Sequence, residues 1–193
     1  MNNRINDDAT LVATAAAGDR RAFDRIVEAN KTAVYSTALR ITGSFADAEE
    51  VSQEVFVKVY FSLSKFQAHS ALSTWIYRIA VNTALDRVRK NKRRSAVEGA
   101  ALPREDILAA PAPPDDSAVD PAVAEANGLL AALAEKYRTP LVLREYEGLK
   151  YDEIARVLGI SVGQVKIRIF RAREELKRKV SPRGAGGGDT LKL

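Results

Sequence analysis

The chain has no cysteine in its 193 residues, which excludes disulfides and thiolate metal sites. Long apolar runs are missing too. None approaches the ~18–20 residues needed to cross a bilayer, and the polar N-terminus lacks the apolar segment of a signal peptide. Histidine occurs once, at His69, with no ligand set around it. Neither a metal nor any other cofactor is expected. There is no GxxxxGKS/T phosphate loop, and no histidine stands near a Ser/Asp pair at a recognisable spacing. The residues thus offer no catalytic machinery, and the expected protein is cytoplasmic, not inserted in a membrane and not an enzyme.

What is present is apolar content for packing and charge placed in blocks. The apolar fraction is 46% and the charged fraction 28%, enough for one domain or two small ones. The net charge of +5 favours a polyanionic partner, but its location matters more than its sum. Residues 87–94, RVRKNKRR, hold six positive charges and no negative one. Residues 95–122 then set Arg104 alone against Glu98, Glu105, Asp106, Asp115, Asp116 and Asp120, with prolines at 103, 111, 113, 114 and 121. Such a stretch, without apolar periodicity, reads as a flexible tether. The expected organisation is a domain over 10–94, a linker over 95–121, a second domain over 122–180 and a disordered, glycine-rich tail over 181–193.

The first domain reads as all-helical. Phe23, Ile26, Val27, Val34, Ala38 and Ile41 outline one or two helices that stop near Gly43. Ser44 caps the next, with Asp47, Glu49 and Glu50 in its first turn, where the helix dipole favours anions. That helix continues through Val51, Val55, Phe56, Val59, Tyr60 and Leu63. After a break at Gln67-Ala68-His69-Ser70, a long helix spans roughly 71–93. Its buried side is Leu72, Trp75, Ile76, Ile79, Ala80 and Thr83, extended by Val81, Leu85 and Val88. Trp75 is assigned to the core more readily than to base stacking, given Ile76 and Ile79 beside it. Arg78, Asn82, Asp86 and Arg89 fall at steps of four, four and three and form one polar stripe that leads into the basic run. Asparagine in mid-helix is a poor helix former with both a donor and an acceptor, and the stripe suits contact with bases and phosphates. The bland alternative for RVRKNKRR is a solvated helix end favoured by the dipole.

Residues 151–178 carry the most specific pattern. Gly159 suits a left-handed helix end, and Ser161 with Gln164 makes a capping box for a second helix. Val165, Ile169, Ala172 and Leu176 give that helix a buried stripe facing Ile154, Val157 and Leu158. Lys166, Arg168, Phe170 and Arg171 occupy its other side. This is the layout of a helix-turn-helix, whose second helix lies in the major groove of DNA.

Together, DAEEVSQEVFVKVY (47–60), STWIYRIAVNTALDRVRKNKRR (73–94) and YRTPLVLREYEGLKYDEIARVLGISVGQVKIRIFRARE (137–174) resemble the extracytoplasmic-function (ECF) group of bacterial sigma factors. They match that family's regions 2 and 4 in order and spacing. The resemblance implies an all-α fold of two small helical domains joined by a flexible linker. It also implies docking on core RNA polymerase, through the β′ clamp helices and the β flap. Asp47, Glu50, Gln53, Glu54 and Lys58 would meet the polymerase. Gln67, His69, Ser70, Arg78, Asn82, Asp86 and Arg89 would capture the melted −10 strand. Lys166, Ile167, Phe170 and Arg171 would read the −35 duplex, and Arg93, Arg94, Arg168 and Arg173 would contact phosphates. The position of Ile167 often holds serine in the family. Isoleucine cannot hydrogen-bond a base edge but can touch a thymine methyl group, so either the −35 preference differs or that contact is lost. The family further implies an anti-sigma partner. An ordinary helix-turn-helix regulator is the alternative. It would need a dimerisation or ligand domain, and residues 10–94 show neither a heptad seam nor a phosphate loop.

Overall fold

A computed structural model of the protein describes residues 2–97 and 121–180. Most of the expected linker and the whole expected tail lie outside them. The described chain is helical throughout, with no strand: α1 (Asn2–Ala16), α2 (Arg20–Thr42), α3 (Phe45–Ser62), a 3-10 turn (Leu63–Lys65), α4 (Leu72–Val97), α5 (Pro121–Ala131), α6 (Glu135–Glu145), α7 (Tyr151–Leu158) and α8 (Val162–Val180). The expected all-α class with two helical units is what forms.

Local chemistry sets the boundaries. Asp19 caps α2 by accepting the Ala22 N–H at 3.1 Å, and α2 runs unbroken to Gly43, which takes φ 75°. The one-or-two-helix reading of this stretch thus resolves to one. Ser44 caps α3 as expected, its Oγ accepting from the Asp47 N–H at 3.3 Å. The start of α4 has a cap that no local pattern announces: Asp8 of α1 accepts the Leu72 N–H at 2.9 Å. A carboxylate from elsewhere in the chain satisfies an orphan donor here.

Apolar stripes then close the N-terminal unit. Ile26, Val34 and Ile41 of α2, Val51, Val55 and Val59 of α3, and Ile76 and Val81 of α4 are wholly buried. Each such side chain contributes ~1.5–3 kcal/mol of burial. Of the side assigned to the core of α4, Leu72, Ile76, Ala80, Val81 and Thr83 are buried, while Trp75, Ile79, Leu85 and Val88 are half-buried against it. The C-terminal unit closes around Leu143, Ile154, Val157, Val165, Ile169 and Ala172.

The units also pack on each other, α6 and α5 against α2 and α7 against α4. Thr37 on α2 donates to Glu147 Oε1 at 2.6 Å. The Arg40 guanidinium sits over the Tyr146 ring, 3.9 Å from its centroid.

Candidate nucleic-acid and polymerase interface

The helix-turn-helix is built as its sequence dictates. Gly159 takes φ 64° and ψ 35°, a left-handed conformation that would strain any side chain with a Cβ. The Ser161 N–H donates to Gln164 Oε1 at 3.1 Å, and the Gln164 N–H donates to Ser161 Oγ at 3.2 Å. With both orphan donors satisfied, α8 starts in register. Val165, Ile169 and Ala172 turn inward, Leu176 is half-buried, and Lys166, Ile167, Phe170 and Arg171 are exposed. Ile167 is 55% and Phe170 65% exposed, more than a soluble helix needs and suited to apolar contact with a base edge.

Two of the cationic side chains already have partners. Arg171 Nη1 donates to the Tyr137 hydroxyl at 3.3 Å. That hydrogen bond is the main reason the Tyr137 pKa lies below the ordinary phenol value. Arg173 pairs with Glu145 at 2.5 Å, so any phosphate contact by Arg173 would first have to displace that carboxylate. Arg168 is half-buried, and Arg93 and Arg94 are exposed at the end of α4.

The break before α4 forms a second site. Lys65 to Ser70, Thr74, Trp75 and Arg78 line a cavity of about 230 Å³, joined by Arg156 and Val157 of α7. Ala68 within it takes φ 53°, a left-handed conformation uncommon for a residue with a side chain. Trp75 meets Phe66 edge-on, with centroids 5.6 Å apart. It is half-buried and lines the cavity, so its core assignment captured only one of its faces. Gln67, His69, Ser70 and Arg78 are thus brought together. Asn82, Asp86 and Arg89 are exposed farther along α4 and do not line the cavity. Arg89 pairs with Asp86 at 3.2 Å.

On α3 the acidic candidates divide. Asp47 accepts from Asn91 Nδ2 at 2.8 Å and from Arg87 at 3.4 Å, and Glu50 also pairs with Arg87. The first cation of the basic run therefore binds its own domain. Gln53, Glu54 and Lys58 are exposed, with Lys58 bonded to Glu54 at 2.7 Å and to Thr83 Oγ1 at 3.0 Å. Beside them lie Val57 and Phe61, 55% and 76% exposed, and Tyr60 at 49%. The sequence placed Tyr60 in a buried stripe. It instead stacks edge-on with Phe23 at 5.0 Å and Phe61 at 5.5 Å. Positions 54, 57, 58 and 61 share one helix face, so an apolar strip with a polar rim results. Asp47→Ala is expected to cost the N-terminal unit about 1.5 kcal/mol in urea unfolding, the scale of hydrogen bonds to a charged group. An unchanged midpoint with core binding lost would return Asp47 to the docking surface.

Among the described residues no group of His, Asp and Glu could hold a metal ion, and no helix is long and apolar enough to cross a membrane.

Comparison with known proteins agrees with this geometry. Residues 26–94 match the model for Sigma-70 region 2, and residues 125–176 that for Sigma-70, region 4. The chain is 35% identical to the RNA polymerase sigma-H factor of Pseudomonas aeruginosa, over 91% of this chain and 94% of the relative. It is 34% identical to the ECF RNA polymerase sigma factor SigW of Bacillus subtilis, over 84% and 91%. Identity to the ECF RNA polymerase sigma-E factor of Escherichia coli K12 is 35%, over 91% and 95%. The solved structure of CnrH in complex with the cytosolic domain of CnrY superimposes with a TM-score of 0.69 at 27% identity, covering 92% of this chain and 99% of that one. With two sigma-70 regions in order on one helical chain and such identities along most of its length, the protein belongs to the ECF sigma factors of the sigma-70 family.

Proposed function

We propose that this ECF sigma factor reads −35 duplex with Lys166, Ile167, Phe170 and Arg171, and traps the melted −10 strand at the loop 67–70 with Arg78 and Asn82. The observation that carries this reading is the cavity where Gln67, His69, Ser70 and Arg78 converge beside the half-buried ring of Trp75. An unstacked base offers hydrogen-bonding edges and a π face, and such a cavity has partners for both. Lost stacking costs a few kcal/mol, which those contacts must offset. A rigid capped helix suits the major groove, whereas melting needs a pocket that gains only after a base leaves the stack.

Core polymerase would dock on the α3 face, where Gln53, Glu54 and Lys58 rim Val57 and Phe61. The apolar pair is the addition that tertiary structure makes to the acidic set. Asp86 and Arg89 would extend the −10 contacts along α4, and Arg93, Arg94, Arg168 and Arg173 would follow the phosphate backbone, so promoter affinity should fall steeply with salt. An anti-sigma partner is proposed as well, supported by the CnrH structure, which was solved with the cytosolic domain of CnrY. Such a partner would cover the α3 face and the DNA-reading surfaces.

The test is run-off transcription with core polymerase, with and without the protein, on fragments of the source genome. Discrete transcripts that need the protein would support the reading and reveal both promoter elements. DNA binding without polymerase, and no stimulation, would favour an ordinary helix-turn-helix regulator. Within that assay, Asn82→Ala should slow strand opening roughly tenfold in permanganate footprints. A defect confined to closed-complex binding would remove Asn82 from the −10 surface.

A further inference from the structure

Glu147 belongs to neither DNA-reading surface, yet it joins the two units. It lies in the turn between α6 and α7, where Gly148 takes φ 64°. Its Oε1 accepts from Thr37 Oγ1 at 2.6 Å, and its carboxylate lies near enough to the Tyr77 hydroxyl to add to burial in raising that phenol's pKa. Thr37 is fully buried on α2 and Tyr77 is half-buried on α4. Neighbouring contacts run the same way. Arg40 of α2 lies over the Tyr146 ring, and Lys92 of α4 reaches Glu135 of α6 at 3.6 Å.

The consequence lies at the cavity. With the units docked this way, Arg156 and Val157 of α7 stand in the wall formed by Gln67, His69, Ser70 and Arg78. A base strand entering there would meet the C-terminal unit. Promoter geometry points the same way. Elements at −35 and −10 are about 25 base pairs apart, roughly 85 Å of duplex at ~3.4 Å per pair. Here α8 follows α7 after a short turn, and packed helices lie about 8–10 Å apart. The reading helix is therefore far too close to the cavity for one promoter to engage both.

We propose that Glu147 is an intramolecular latch: held by Thr37 and facing Tyr77, it docks the C-terminal unit over the −10 cavity and keeps the free chain closed until polymerase separates the units. The part that concerns the cavity rests on the function proposed above. The Thr37 hydroxyl on this carboxylate makes a charge-assisted hydrogen bond, stronger than a neutral one. Burial, together with the nearby Glu147 carboxylate, holds the Tyr77 phenol well above its ordinary pKa, so the hydroxyl stays protonated beside that carboxylate. Opening returns the carboxylate to water and recovers its hydration. The latch is therefore releasable by a partner that binds the separated units better. Core binding is slowed in proportion to the open fraction, since only that fraction is competent.

No native cysteine competes for labels, so Ala29→Cys on α2 and Lys179→Cys on α8, both exposed, can carry a donor and an acceptor dye. Energy transfer in the free full-length chain and its association rate with core polymerase are then measured for the parent, Glu147→Gln, Glu147→Ala and Tyr77→Phe. Melting curves check that each variant folds, and Tyr77→Phe keeps the ring in place. Transfer should fall in Glu147→Ala and Tyr77→Phe, and less in Glu147→Gln. Association should quicken roughly tenfold in Glu147→Ala, as expected for losing a hydrogen bond to a charged group. Unchanged transfer in all three variants overturns the latch. Lower transfer without faster association overturns its gating role. If the parent and every variant alike failed to bind core, the proposed function would fall instead, and the transfer data would still decide the latch.

Discussion

Arg171→Ala is expected to lower −35-dependent initiation roughly 5- to 150-fold while leaving core binding intact, the range set by ~1–3 kcal/mol for one good bidentate contact to a base. The side chain is exposed on the face of α8 that carries Lys166, Ile167 and Phe170, so its removal leaves the packing of Val165, Ile169 and Ala172 untouched. Its partner, the hydroxyl of the half-buried Tyr137, can turn to water when the guanidinium is gone. Two controls separate the possible causes. If Arg171 reads a base, discrimination between −35 sequences relaxes and the salt slope of binding hardly changes. If it holds a phosphate, all sequences weaken alike and the slope drops by about one. The free protein gives a check without DNA. Tyr137 titrates below the usual phenol range chiefly through its hydrogen bond from Arg171. Without that donor the phenolate loses its stabilisation, so the Tyr137 resonance should titrate at higher pH. Loss of core binding in this variant would mean that the C-terminal unit, not α3, carries the main polymerase contact.

Ile76→Ala should destabilise the N-terminal unit by ~2–5 kcal/mol, the cost of lost burial and an unfilled cavity at a closed site. Ile76 is wholly buried in α4 and sits between the cavity residues Trp75 and Arg78. Typical domains have only ~5–15 kcal/mol in total, so this one change removes a large share. Both the Val57–Phe61 strip and the cavity before α4, proposed to take the −10 strand, depend on α4 packing on α3. Core binding and strand opening should therefore fail together on warming, before −35 duplex binding does. Urea unfolding followed by tryptophan fluorescence reads the effect directly, because the single Trp75 lies in the same helix. A change under about 1 kcal/mol would indicate that the core collapses around the missing methyl groups.

These two variants differ in how visible they were beforehand. Arg171 was legible because the helix-turn-helix is specified by short-range chemistry. Gly159, Ser161 and Gln164 fix the turn, and the stripe at 165, 169 and 172 fixes which side faces out. Ile76 was legible for a similar reason, its helix having a polar stripe at 78, 82, 86 and 89 that is exposed as read. The division of α3 was not. Asp47 and Glu54 look alike as acids on one helix, and only the approach of Arg87 and Asn91 turns Asp47 into a tie between helices. Tyr60 has the spacing of a core residue, but Phe23 offers it an edge contact at the surface instead.

The same contrast holds for the whole molecule. Sequence alone determined the all-helical class, the two units, the helix-turn-helix and its outward face, because caps, turn glycines and a 3.6-residue period act over a few residues. Tertiary structure decided which charges are spent within the fold, which apolar residues stay exposed, that Asp8 caps α4, and that Glu147 bonds Thr37 beside Tyr77. Those last contacts join positions 64 to 110 residues apart, where no local period or capping rule acts. A carboxylate in a turn carries no mark of the hydroxyl it will meet until packing brings the two together.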